Sequence, residues 1–544
     1  MALRVKDDIV QLETVIGTNS TQTVADGTVA IPGSMLPANR IVKVTAVPNI
    51  KEHWAEEDRV NLDGTITVNI IYAGEDDTGK TYYGSIQIPD AIPFSRVVDV
   101  PGATPNMLSQ CEAAVLDLQS AVRSDGRTVD LDIVLELTAA AVSTQEIAVV
   151  TDASAEAAAR LKVAKDVLHI EDVIGRGTAK AQIRELIPIP GGSGSDLRLL
   201  EISGRFRPVE NRVEIDRAVI VGTMSYKAIF AGFSVDTGEE QIIVHRWDEV
   251  SGLELSVEIY GSHPGMMAYP RIAAPMVSGQ LVNDGQSLAV EGELTADVKV
   301  VQPLNVSVVT DLTSESDVEI RVRQETIQVQ QVGDTAFKDI YVDGTVQLTS
   351  SHPPLERLLD VEARAAVTGA SVVGGRVVVS GYVDLTALYV ARTDDFSQPV
   401  YHAAWSNVAT FETSISVPAL AAMPEGETEA SVDIHDVRAE PISRDTISFH
   451  VMGSVSCRLK ETMSKEVVAE VVELRQFKGR PPTYTCVTVQ PDDTLWKLAT
   501  KYRTTVENLL EANPNLAEAA MTTGGGLPVG SKVLITLSVS SELE

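Results

Sequence analysis

Apolar residues alternate with polar ones along most of this chain, at the two-residue period of strands with one face buried. Val129-Asp130-Leu131-Asp132-Ile133 and Leu288-Ala289-Val290-Glu291 show the pattern cleanly, and each follows an Asp-Gly pair. Asp125-Gly126 and Asp284-Gly285 between alternating runs predict type I′ hairpins, because both central residues of that turn need positive φ. The third such place reads Ser443-Arg444-Asp445, with Ile447-Ser448-Phe449 beyond. The period changes near the C-terminus. Tyr484, Cys486, Val487 and Val489 read as a strand, with Cys486 expected as a small buried hydrophobe. Leu495, Leu498, Ala499 and Tyr502 then fall at i, i+3, i+4 and i+7, an apolar helical stripe. Thr504-x-x-Glu507 has the form of a capping box. Val506, Leu509 and Leu510 continue a second short helix that stops at Asn513-Pro514, and Gly530 to Ile535 reads as turn and strand. The last sixty residues are a small βααβ module.

Self-similarity organises the rest. Leu3-Arg4-Val5-Lys6, Leu161-Lys162-Val163-Ala164 and Ile320-Arg321-Val322-Arg323 open three segments whose starts lie 161 − 3 = 158 and 320 − 161 = 159 residues apart. Ala148-Val149-Val150-Thr151-Asp152 and Ser307-Val308-Val309-Thr310-Asp311 close two of them alike, and Val467 to Glu473 closes the third. In each unit a glycine precedes a second apolar run: Gly64 to Tyr72, Gly222 to Phe230 and Gly381 to Tyr389. The reading is mainly β: three tandem antiparallel β-sandwich-like repeats at 1–155, 156–314 and 315–475, then a module at 484–538. Gly479-Arg480-Pro481-Pro482 makes the tether between them short and stiff. Glu156 to Ala164 has helical composition and reads as a connector helix or as the lead of the next strand.

The run V-x-P-D-D-T-L-W-K-L-A-x-K-Y, then L-L-E-A-N-P-N-L, then L-P-V-G-S-K-V-L-I, resembles a LysM domain. That resemblance implies binding of peptidoglycan or chitin through N-acetylglucosamine. It places the sugar between the turn Asp493, Thr494, Leu495 and Trp496 and the turn Pro514, Asn515 and Leu516. Exposed N–H groups at a helix start suit an acetamido carbonyl, and apolar side chains suit its methyl. Asp492 stands where the family usually has Gly, and Ala517 to Leu527 is longer than the family's usual loop. The three larger units resemble SPOCS domains of Gram-positive endospore formers, in the order found in spore-coat morphogenetic proteins with a C-terminal LysM. That implies a scaffold whose LysM docks a spore-coat scaffold protein that hydrolyses ATP.

Net charge is −32 from 76 Asp and Glu against 44 Lys and Arg. This argues against nucleic acid or an anionic membrane as partner, since phosphate binding needs clustered cations. No apolar run approaches the length of a membrane span. The N-terminus lacks a signal peptide pattern, so synthesis in the cytoplasm is expected, followed by placement at the spore surface or envelope. Cys111, Cys457 and Cys486 are scattered and show neither a disulfide framework nor metal-ligand spacing. No cofactor is expected.

Gly74-Glu75-Asp76-Asp77-Thr78-Gly79-Lys80-Thr81 matches the P-loop pattern. A strand-like stretch, Tyr82 to Ile88, follows where a helix is required, and three acids inside the loop would repel a triphosphate. Gly261-Ser262-His263-Pro264-Gly265 reads as a turn. Trp247 and Trp405 read as core aromatics, and the eight histidines, His53, His169, His245 and His435 among them, lie in no metal-ligand spacing. The chain is therefore read as a non-enzymatic envelope scaffold. An alternative is a self-assembling homo-polymer, an extracellular filament, tube or surface lattice; a cell-wall hydrolase is the third reading, and it lacks a paired catalytic constellation.

Overall fold

The computed structural model describes residues 3–75, 79–155, 161–190, 197–233, 239–314, 318–393, 399–421, 423, 426–476, 484–491, 493–502, 504–514 and 527–536. The first set of strands is β1 (Leu3–Ala30), β2 (Arg40–Glu56), β3 (Arg59–Glu75), β4 (Thr81–Asp99), β5 (Leu108–Val122) and β6 (Thr128–Ala155). Strand β3 is central to one antiparallel sheet, β2-β3-β4, and β6 is central to a second, β1-β6-β5. One core lies between them, with Leu62, Ile66 and Ile70 from β3 packed among Leu131, Ile133 and Leu135 from β6. Within each strand these residues lie an even number of positions apart, so each strand gives one face to that core.

The design is used again twice. Strands β7 (Leu161–Pro188), β8 (Arg198–Glu214), β9 (Arg217–Phe233), β10 (Glu240–Glu258), β11 (Met267–Ile272), β12 (Met276–Val282) and β13 (Ser287–Ser314) form a β8-β9-β10 sheet and a sheet centred on β13. Strands β14 (Val318–Val332), β15 (Ala336–Gln347), β16 (Leu355–Val373), β17 (Arg376–Ala391), β18 (Val400–Ile415), β19 (Glu427–Pro441) and β20 (Thr446–Gln476) do the same around β17 and β20. What β1 does as one strand, β14 and β15 do in two pieces. The fold is mainly antiparallel β, as the alternation predicts.

The recurring glycines have a packing role. A Cβ on Gly222 would meet the Phe206 ring at 2.4 Å and the Arg207 carbonyl at 2.3 Å, and one on Gly381 would meet the Phe411 ring at 2.3 Å. Each glycine leaves room for an aromatic ring laid across a central strand. The hairpin expectation needs correction. Asp284 and Gly285 both have positive φ, with Asn283, but in the first unit only Gly126 does. Asp125 instead accepts hydrogen bonds from the amides of Arg127 and Thr128 at 2.8 and 2.9 Å, so its side chain rather than an αL backbone shapes that turn. The stretch from Leu161 is strand β7, not helix; residues 156–160 lie outside the described residues.

The three sets pack around a pseudo-threefold axis. One apolar seam joins Ile71 and Ala73, Ile229 and Ala231, and Leu388 and Val390. A second joins Val10 and Leu12, Leu168 and Ile170, and Ile327 and Val329, on the long strands β1, β7 and β14. Each trio occupies one repeat position. The charged positions beside the first seam differ: Lys43, Glu201 and Asp360 are repeat equivalents. Lys43 pairs with Glu201 at 3.1 Å, Lys227 with Asp360 at 3.1 Å, and Arg246 with Asp360. Unlike charges where the seams are alike fix which repeat neighbours which.

A guanidinium closes the ring. Arg40 of the first set donates to the Val400 carbonyl at 2.6 Å and lies 3.9 Å from the Tyr401 ring centre. Arg198, its repeat equivalent in the second set, donates to the Tyr83 carbonyl at 2.9 Å and lies 4.2 Å from the Tyr82 ring centre. Val400 and Tyr83 are themselves equivalent. The same head-to-tail contact thus links the third set to the first and the first to the second within one chain.

Candidate functional site

The C-terminal module pairs β21 (Tyr484–Thr488) with β22 (Lys532–Thr536) antiparallel and packs α1 (Leu495–Tyr502) and α2 (Val506–Ala512) against them. Its core is Val489, Leu495, Leu498, Ala499, Leu509, Leu527, Val533 and Ile535. Val487 pairs with Val533 and faces this core, which turns Cys486 and its partner Leu534 outward. Cys486 is exposed, against expectation, because the strand alternates on the other phase.

Two caps shape the helices. Thr494 Oγ1 accepts from the Lys497 amide at 3.1 Å and starts α1. The residue capping α2 is Thr505, one position beyond the expected Thr504, and its hydroxyl accepts from the Asn508 amide at 3.0 Å. The Thr504 amide is already used, donating to the Ala499 carbonyl at the end of α1. Glu507 therefore sits in the first turn rather than closing a capping box. Bonds from the chain's own amide and from Thr505 hold its carboxyl below the usual range.

The expected sugar-contact residues are placed as follows. Asp493 Oδ2 accepts from the Gln490 amide at 2.8 Å, and the Asp493 amide donates to the Gln490 carbonyl at 3.2 Å, so this residue locks the turn into α1. Thr494 is the cap, and Leu495 is buried in the core. Trp496 is half-buried and donates its indole N–H to Asp311 near the end of β13. Pro514 is exposed in the turn after α2, while Asn515 and Leu516 lie outside the described residues. Asn513 does more than stop a helix. It is a clamp: Nδ2 donates to the carbonyls of Leu509 at 2.8 Å and Leu534 at 2.6 Å, and Oδ1 accepts from the Leu534 amide at 2.8 Å. It holds the second turn against β22.

Other candidate chemistry resolves into structure. A strand, β4, follows the P-loop-like stretch from Thr81, and residues 76–78 lie outside the described residues. Gly261 and Gly265 have positive φ in a tight turn around Ser262 and His263. Trp247 and Trp405 pack on the cores of the second and third sets and donate to the carbonyls of Pro188 and Gln347 at 3.1 and 2.8 Å. Among the described residues, no group of three or more His, Cys, Asp and Glu is set to hold a metal ion. Nor is any helix among them long and apolar enough to cross a membrane.

Comparison with known families gives two matches. The family described as SipL, SPOCS domain, matches residues 37–123 and 354–442, and the LysM domain family matches residues 487–536. The SPOCS matches span β2 to β5 and β16 to β19, and the second set repeats these strands. Searches of the curated proteins and of the solved structures found no match. Both matched families are binding or structural rather than catalytic. The chain thus carries two regions that match the SPOCS domain and a C-terminal region that matches the LysM domain.

Proposed function

We propose that the chain is a non-enzymatic scaffold of a spore-envelope layer. In this reading the units 1–155, 156–314 and 315–475 form a rigid platform, and the module at 484–538 docks it to peptidoglycan or to a coat protein. The observation that carries the reading is the pairing of a LysM module with SPOCS units that close on one another about an axis. Seams shared by all three units make the platform one body, and its outer strand faces are left for contacts with a layer. Sugar contacts are assigned to the turn Asp493–Trp496 and the turn Pro514–Leu516.

The test is co-sedimentation with purified peptidoglycan sacculi, comparing the full chain with one ending at Glu473. Sedimentation of the full chain alone supports docking through the module. Equal sedimentation of both moves wall affinity into the SPOCS units, and sedimentation of neither leaves a protein as the docking partner.

Self-assembly is the second reading, favoured by one observation. Phe337 and Tyr341 on β15 are 70% and 68% exposed, on a strand at the side of its sheet. Light scattering that shows growth with concentration in the parent, and none in Phe337→Lys, would support it.

A further inference from the structure

Where the three sets meet, the structure holds a cavity of about 850 Å³ lined from all of them. Repeat-equivalent trios ring it: Val15, Val173 and Val332, and beside them Glu13, Glu171 and Gln330. Four cations converge there. Glu13 takes both Arg176 at 2.6 Å and Lys299 at 3.3 Å, and Glu429 takes both Arg458 and Lys460 at 2.6 Å. Glu171 is occupied by the Tyr269 hydroxyl at 2.8 Å, and Lys299 and Arg458 each lie 5.8 Å from the Tyr269 ring centre. Of the remaining charged lining groups, Asp297 accepts from the Thr178 hydroxyl, also in the lining, at 2.8 Å, and Arg271 pairs with Glu112 at 3.5 Å.

Four cations therefore crowd two of the four lining carboxylates, Glu13 and Glu429, with Glu171 and Asp297 bonded to hydroxyls, in a chain of net charge −32. Their side chains are only partly exposed, 25% for Lys299, 28% for Arg458 and 21% for Lys460. Burial first, then the charges of Arg458 and Lys299, push the Lys460 ammonium below its ordinary value, against the pull of Glu429. Stability alone does not call for such crowding, since partly buried like charges repel. Arg458 bonds Glu429 through Nε, so its two terminal nitrogens take no part in that bond. The third member of the acidic trio is the neutral Gln330, so one carboxylate fewer opposes an incoming anion than a strict repeat would place there.

We propose that this axial cavity binds a small oxyanion with two or more negative charges, phosphate or a polycarboxylate. Arg458, Lys460 and Lys299 supply charge-assisted hydrogen bonds, and the volume is in the ordinary range for small-ligand sites. The site is independent of the C-terminal module.

The test uses the full chain, melted and titrated calorimetrically with sodium phosphate and with sodium citrate, against sodium chloride at matched ionic strength. Saturable binding and a saturable rise in melting temperature are expected with at least one oxyanion and not with chloride; which one binds identifies the ligand class. Lys460→Gln should weaken binding about tenfold. Gln330→Glu should weaken it while keeping every cation, at a position where its two equivalents are already glutamate. No saturable binding of either oxyanion, or binding unchanged in both variants, would overturn the proposal.

Discussion

Trp496 at the start of α1 gives its indole N–H to the carboxylate of Asp311, in the second repeat. The tryptophan of the expected sugar-contact turn is thus engaged by the platform of the same chain. Nearby, the Lys162 charge acts on Glu507 of α2. Both contacts set the module against the end of the second repeat's β7–β13 strand pair, so docking to a glycan through this turn competes with docking to the platform.

Asp311→Ala should therefore strengthen binding of soluble N-acetylglucosamine oligomers. A hydrogen bond to a carboxylate contributes about 1.5–3 kcal/mol when fully formed, and less where solvent screens it. The expected gain is roughly threefold to tenfold, read by calorimetric titration of the full chain. Equal affinities for parent and variant would show that the contact leaves the sugar turn open.

The ring-closing arginines should rank in a definite order. Arg198→Ala leaves Glu240, 5% exposed, without its cation, and an uncompensated buried charge costs about 3–5 kcal/mol. Arg40→Ala removes one bond to a carbonyl and a stacked ring, about 1–3 kcal/mol. Arg357, the third equivalent, is exposed, and Arg357→Ala should change stability by no more than about 0.5 kcal/mol. Urea denaturation of the three variants would show whether this order holds.

The repeat and the β alternation were legible because both are periodic: Val10, Leu168 and Ile327 can be found by counting. The axis was not, because the positions that build it are set by packing rather than by period. Ile71 and Ala73 read as one more strand, and only the fold shows them touching Ile229 and Leu388. Lys43, Glu201 and Asp360 share a repeat position, yet their opposite charges hide the kinship. Within the module, the helices followed from the apolar stripe. The cap moved from Thr504 to Thr505 because the Thr504 amide ends the previous helix, a demand that a local motif cannot register. Asn513 went unread for a similar reason. Its partner Leu534 is distant in sequence, and a polar residue before proline looks like a turn.

Stability should fall on mild acidification through one histidine. Burial first, and then the Lys43 charge, push His402 down to about 4 from an ordinary 6.5. Above pH 6.5 it is neutral folded and unfolded, and it adds no pH dependence. Between 6.5 and 4 the unfolded chain takes up the proton and the folded chain does not, so stability drops as pH falls. Over the whole window the loss amounts to about 3 kcal/mol. Valine fills the equivalent place in the second repeat, Val244, so His402→Val should flatten the profile between pH 6.5 and 4.5. Urea midpoints of parent and variant that decline in parallel over that interval would contradict this.

The glycines under aromatic rings should be intolerant of a single methyl group. Gly222→Ala drives Cβ into the Phe206 ring and the Arg207 carbonyl, and overpacking of this kind costs about 1–3 kcal/mol. Gly252, on the neighbouring β10, has nothing within 4 Å of its would-be Cβ. Gly252→Ala should be neutral or slightly stabilising, since alanine narrows the unfolded ensemble by about 0.4–1 kcal/mol. Adding Phe206→Leu to Gly222→Ala should recover part of the loss, because the ring clash is relieved and the clash with the backbone carbonyl stays. A double-mutant cycle from thermal melts measures that coupling. Strictly additive effects would mean the ring is not what keeps the position glycine.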